Sequence, residues 1–181
     1  MPRPAEKAKS KTVPKSFRID ESALKAVEVE AASLNVTTNT LVNQIIKQYA
    51  EFDRFARKIK TVKLSSAPFR GILSAAEVDQ LIDVAKASGS SIPQTFAMAK
   101  EGRVDLESFR DHIRSLASYA QLFEFSEAVD AHGRVMTLIH DFGLNWSIFL
   151  VHYMTEMFTQ IGFSPKIEMS DRSVILSLPE S

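Results

Sequence analysis

Cysteine is missing from this 181-residue chain, which excludes a disulfide framework and any zinc site built on thiolates. Long apolar runs are missing as well. The hydrophobic stretches are too short and too interrupted to span a bilayer. The N-terminus is basic but has no apolar core of the kind a secretory signal needs, so the expectation is a cytoplasmic protein. Glycine is scarce, with six residues, and there is no Gly-rich phosphate loop, no Ser-centred nucleophile elbow and no cluster of metal ligands on one helix. No catalytic residue, metal or cofactor is therefore expected, and the function should be one of binding and not catalysis.

What is present is enough for a core. Hydrophobic residues make up 45% of the chain, ordinary for a globular protein, and the length allows one or two domains. The formal net charge is zero, but it is divided unevenly. Residues 1–63 hold 13 Lys and Arg against 7 Asp and Glu, whereas residues 64–181 hold 9 against 15. The first part should seek a polyanion and the second should avoid one.

The basic part contains the stretch that organises the chain, Lys15 to Tyr49. Phe17 and Ile19 alternate with Ser16 and Arg18, a period of two that predicts a short strand with one apolar face. Asp20 can cap a helix carrying Leu24, Val27, Ala31 and Leu34 at helical spacing. Asn35, tolerant of the left-handed conformation, stands where that helix must stop. Thr37 can cap a second helix with the apolar stripe Leu41, Ile45, Ile46 and Tyr49. A strand of about five residues cannot stand alone. The economical partner is the same strand of a second chain, which makes a two-fold dimer. Phe17, Ile19, Leu41, Ile45 and Tyr49 then form the dimer core, while Ser16 and Arg18 face outward on a two-stranded ribbon that fits a DNA major groove.

Lys-Ser-Phe-Arg-Ile-Asp-Glu-Ser-Ala-Leu, the Leu-Asn-Val-Thr turn and Thr-Leu-Val-Asn-Gln-Ile-Ile together resemble the ribbon-helix-helix repressors, the Arc, MetJ and CopG class of prokaryotic regulators. The resemblance covers roughly residues 13–52. It implies that outward strand residues, here Ser16 and Arg18, read base edges. It also implies that main-chain amides opening the second helix, here at Thr37, Thr38 and Asn39, hold a phosphate. Lys11 and Lys15 would add phosphate contacts. Pro14 stands where a third reader is common and has neither donor nor reach. Lys15 stands where the family often has an apolar residue. Both departures point to a shortened ribbon. Nickel-responsive members of the class join such a unit to a metal-binding sheet domain through Cys and His, but this chain has no Cys.

Around this unit the chain divides into three. Residues 1–12 are rich in Lys, Pro and Ala without periodicity and read as a disordered basic arm. Residues 13–63 are the DNA-binding domain, its second helix continuing through Phe52, Phe55 and Ile59. Residues 64–181 form a C-terminal α+β domain for sensing or assembly. A break is expected at 64–68. Ser74 to Glu77 reads as a capping box before a helix that Gly89 closes, and Ser91 to Gln94 as a second box before a helix ending near Gly102. Asp105 should cap a third, which carries Leu106, Phe109, Ile113 and Leu116 inward and Arg110 and Arg114 on a solvated face.

Two hairpins, 122–139 and 166–178, flank a helix from Asn145 to Ile161, giving a small antiparallel sheet with a covering helix. The histidines His112, His132, His140 and His152 are dispersed. His140 is expected to make a local hydrogen bond that closes a strand-to-helix turn. Phe123, Phe125, Phe142, Trp146, Phe149, Tyr153 and Phe158 should be core, with room for a small-molecule pocket among them.

The leading expectation is a homodimeric, nucleoid-associated transcriptional regulator of double-stranded DNA, with an effector-binding or oligomerising C-terminal domain. The alternative is a ribbon-helix-helix dimerisation scaffold whose C-terminal domain binds a protein partner, as an antitoxin does.

Overall fold

The computed structural model describes residues 12–130 and 133–179. It is an α+β chain of two compact units, one ending at Ile45 and the other starting at Ile46. Residues 1–11 of the expected arm, Lys11 among them, and His132 fall outside the described residues.

In the first unit, residues 12–20 carry neither helix nor strand in the single chain. Helix α1 (Glu21–Ser33) starts where Asp20 accepts hydrogen bonds from the amides of Ser22, at 2.9 Å, and Ala23, at 3.2 Å. Asn35 follows it with φ +54°, a conformation Asn adopts at modest cost. Helix α2 (Thr38–Gln48) is capped by Thr37, whose Oγ1 accepts the Thr40 amide at 3.1 Å. All three local signals act where the sequence places them.

Helical backbone continues past α2 through a π-helical turn (Tyr49–Asp53), α3 (Arg54–Ala56) and a 3-10 turn (Arg57–Ile59), and stops at Lys60, φ +53°. In the second unit Phe52 and Phe55 are buried against Phe96. Ring centroids stand 5.8 Å and 5.7 Å from Phe96 respectively.

The helical middle differs from expectation in three ways. The break at 64–68 is shorter than predicted, because α4 (Ser66–Ala75) begins inside it and buries Leu73. Pro68 does not prevent this, since a first-turn residue needs no amide partner. Ser74 is not a cap: it lies within α4 and its hydroxyl donates to the Arg70 carbonyl at 2.9 Å. Nor does Gly89 close a helix. One helix, α5 (Val78–Glu101), runs through Gly89 and Pro93 to Gly102, whose φ of +70° ends it as expected. Ser90 and Ser91 both donate to the Ala87 carbonyl at 2.9 Å. Gly89 persists because the helix Leu144–Thr159 crosses there: a Cβ at position 89 would collide with the Tyr153 carbonyl oxygen.

Helix α6 (Leu106–Ser115) opens on a reciprocal capping box, Asp105 accepting from the Ser108 amide and Ser108 Oγ from the Asp105 amide. It buries Phe109 and Ile113 completely and ends in a π-helical turn, Leu116–Ala120.

The sheet is as read from the alternating pattern. Strands β1 (Glu124–Asp130), β2 (Gly133–Ile139), β3 (Lys166–Met169) and β4 (Ser173–Leu178) form one antiparallel sheet in the order β1-β2-β4-β3. In β4 the buried residues alternate, Val174, Leu176 and Leu178. Together with Met136 and Leu138 of β2 they join the core that includes Leu150, Met154, Met157 and Phe158 of α7 (Leu144–Thr159). Helix α7 packs against β3 and β4 and also against α5. Among the described residues, no helix is long and apolar enough to cross a membrane.

Candidate functional site

In the first unit the residues expected to meet DNA are accessible. Lys15, Ser16 and Arg18 lie exposed in the segment before α1. At the start of α2, Thr38 is half-buried and Asn39 exposed. The opening amides of a helix have no acceptor within it. The first turn of α2 contains no acidic residue to offset its positive end, so an anion is favoured there.

The residues expected in the dimer core are not covered within one chain. Phe17 is 69% exposed, Ile19 48%, Ile45 50% and Tyr49 48%, and Leu41 is half-buried. Leu34 adds to them at 52%. Scattered exposed leucines need no explanation, but several large apolar residues exposed within one short stretch of chain do.

The second unit holds a cavity of about 880 Å³. Phe69 of α4, Phe142, and Trp146, Phe149 and Tyr153 of α7 line it, and His112 reaches it from α6. Trp146 and Phe149 stack with centroids 4.9 Å apart, and Phe149 and Tyr153 with centroids 5.8 Å apart. Of the expected aromatic core, Phe123, Phe142, Trp146, Tyr153 and Phe158 are buried, whereas Phe125 and Phe149 are partly so.

His112 was expected only as one of four dispersed histidines, yet it is fully buried. Its Nε2 is 2.8 Å from the Tyr153 hydroxyl, while its Nδ1 has no hydrogen-bond partner, the one such buried side-chain atom among the described residues. Burial, with Lys100 adding to it, pushes its pKa down to about 3 and keeps the ring neutral. Burial likewise pushes the Tyr153 hydroxyl well above its usual range. A signal for His112 was available: it lies three residues after Phe109 and next to Ile113, on the inward face.

His140 behaves as expected. Its Nε2 is 2.9 Å from Ser147 Oγ and its Nδ1 accepts from the Phe142 amide at 3.3 Å, which closes the turn between β2 and α7. Burial lowers its pKa.

Arg110 and Arg114 do not form the solvated face expected of them. Glu127 of β1 accepts from Arg110 at 2.7 and 2.8 Å, from Arg114 at 2.7 Å and from Arg134 at 2.6 Å. Burial alone would raise the Glu127 carboxyl. The hydrogen bonds from Arg110, Arg134 and Arg114 outweigh that and hold it at about 2. Glu107 also pairs with Arg110 and Arg114, so three guanidiniums share two carboxylates in a cluster that ties α6 to the sheet.

Among the described residues, no three His, Asp or Glu side chains stand close enough to hold a metal ion. No family model matches this chain, and no curated protein matches it in sequence.

Proposed function

We propose that this chain is a homodimeric DNA-binding regulator of the ribbon-helix-helix kind, in which residues 46–181 bind an effector or extend the assembly. The observation that carries the reading is the uncovered apolar set Phe17, Ile19, Leu34 and Ile45, set among basic and polar residues. Fully burying one such side chain contributes about 1.5–3 kcal/mol. A second copy supplies the matching surface by symmetry, because a two-fold interface uses the same patch twice. In the dimer, residues 15–19 pair with their copy as a ribbon. Ser16 and Arg18 point to base edges, and the start of α2 meets a phosphate, with Thr37, Thr38 and Asn39 around it. Lys15 flanks the ribbon. The charge excess of residues 1–63 favours DNA over an acidic protein surface because duplex DNA offers dense, regularly spaced phosphates.

The test is binding of the whole chain to genomic duplex fragments across a salt series. The reading predicts footprinted sites in promoters and an affinity that falls linearly in log–log form with salt. An affinity that is absent, or indifferent to salt, would instead leave a dimerisation scaffold for a protein partner.

A further inference from the structure

The cavity of the second unit has one aromatic wall. Trp146, Phe149 and Tyr153 follow each other at helical spacing along α7, and the first two rings are nearly parallel, 10° apart. Phe69 stands edge-on to Trp146 at 5.2 Å and 77°. Packed on one another, these rings form a continuous aromatic wall, against which an aromatic guest can pack by offset or edge contact. The charged residues along the lining are Asp53 and Lys63, the latter exposed. Val62 and Leu64, on the irregular segment that contributes to the wall, are also exposed, so apolar area remains there for a guest to cover.

Thr61, Ser65, Ser66, Ser88, Tyr119 and Gln121 also border the cavity, but its buried polar groups are the paired His112 and Tyr153. If the phenol donates to Nε2, the imidazole proton sits on Nδ1 and a single donor is left over. The reverse arrangement strands both the phenol hydrogen and the Nδ1 lone pair, which is costlier in a buried place. The leftover donor is thus Nδ1–H. Burial keeps both groups uncharged, and an apolar enclosure penalises any ion that lacks a partner.

We propose that this cavity binds an uncharged, flat aromatic small molecule with one hydrogen-bond acceptor, its rings against Trp146 and Phe149 and its acceptor at His112. The volume of about 880 Å³ falls within the usual range for small-molecule sites. The inference rests on the reading of residues 46–181 as an effector-binding part and names the class of effector.

Trp146 is the single tryptophan of the chain, so its fluorescence reports on the wall directly. With the whole chain and no DNA, flavone should quench it saturably at one molecule per chain. Ser88→Phe, which adds a ring to the cavity lining, should weaken flavone at least tenfold. His112→Phe should also weaken flavone at least tenfold but leave 2-phenylnaphthalene, which has no acceptor, unchanged. Naphthalene-2-sulfonate should not bind saturably.

Quenching that never saturates, an unchanged flavone affinity in Ser88→Phe, equal losses of both probes in His112→Phe, or saturable binding of the sulfonate would each overturn the proposal. If either variant fails to fold by circular dichroism, the ranking of flavone over the sulfonate on the unaltered chain decides. DNA is absent from every arm, so failure here leaves duplex binding to its own test, and loss of duplex binding leaves the flavone result standing.

Discussion

His112 sits at zero exposure with a neutral ring, and this gives the protein a pH dependence with a definite sign. Unfolded, an imidazole titrates near its ordinary value of 6.5; folded, His112 resists protonation down to about 3. Between those values the unfolded chain binds a proton that the folded one refuses. Its contribution to stability is complete above pH 6.5 and is lost as the pH falls below it, at about 1.4 kcal/mol per pH unit. Urea denaturation at pH 7 and pH 5 should differ by about 2 kcal/mol from this group, with His140 acting in the same direction. His112→Phe lowers stability at both values, because Tyr153 loses its acceptor, but it should flatten the difference. An equally steep dependence in the variant would place the titrating group elsewhere.

In the proposed DNA-binding segment, Arg18→Ala should cost about 1–3 kcal/mol on a preferred site and relax one base position, if the guanidinium pairs with guanine. Equal loss on every sequence, read by competition with random duplex, would make Arg18 a phosphate contact. At this scale the local signals were legible: Asp20, Asn35, Thr37 and Asp105 each act through neighbours within a few residues. Arg110 was not, because Glu127 lies 17 residues on and nothing near Arg110 in sequence announces a strand.

Helix α5 shows how a tertiary contact overrides punctuation. Gly89 and Pro93 read as a stop and a start, since both are poor inside helices. The helix continues because α7 comes so close at Gly89 that no side chain fits. The resulting prediction runs against intrinsic propensity. In an exposed helix Gly→Ala stabilises by about 1 kcal/mol, whereas Gly89→Ala should destabilise by about 1–3 kcal/mol through overpacking against Tyr153. The denaturation midpoint decides the sign, and a stabilised Gly89→Ala would show that the two helices stand further apart. The four strands were legible because alternation needs no partner to be seen, and the β4 pattern of buried and half-buried residues repeats that alternation. Helix α4 was hidden by Ser65, Ser66 and Pro68, residues that serve a loop and a first helical turn equally well.

For the whole molecule, the unequal charge and the uncovered apolar face of the N-terminal stretch belong to one explanation. In the proposed reading, basic residues draw the chain to a polyanion, and the apolar residues join two copies so that the short segment before α1 gains a strand partner. The first of these was legible from composition alone. The second rests on the pattern of Phe17, Ile19, Leu41 and Ile45, of which Phe17, Ile19 and Ile45 are exposed and Leu41 half-buried in a single chain. The aromatic cavity was legible only as a group of rings, because its walls come from α4, α6 and α7, far apart in sequence.

The central claim is that two copies meet through this face and present DNA with a surface neither has alone. Ile45→Asp tests it, because Ile45 reads no base and a carboxylate buried in the interface without a cation costs several kcal/mol. Sedimentation equilibrium of the whole chain, with duplex binding measured on the same samples, should give the unaltered protein twice the chain mass of 20.2 kDa. Ile45→Asp should lose duplex affinity while residues 46–181 keep their circular dichroism, and its mass should fall to that of one chain. An unaltered protein that sediments as a monomer, or an Ile45→Asp dimer that binds duplex DNA normally, would contradict the account.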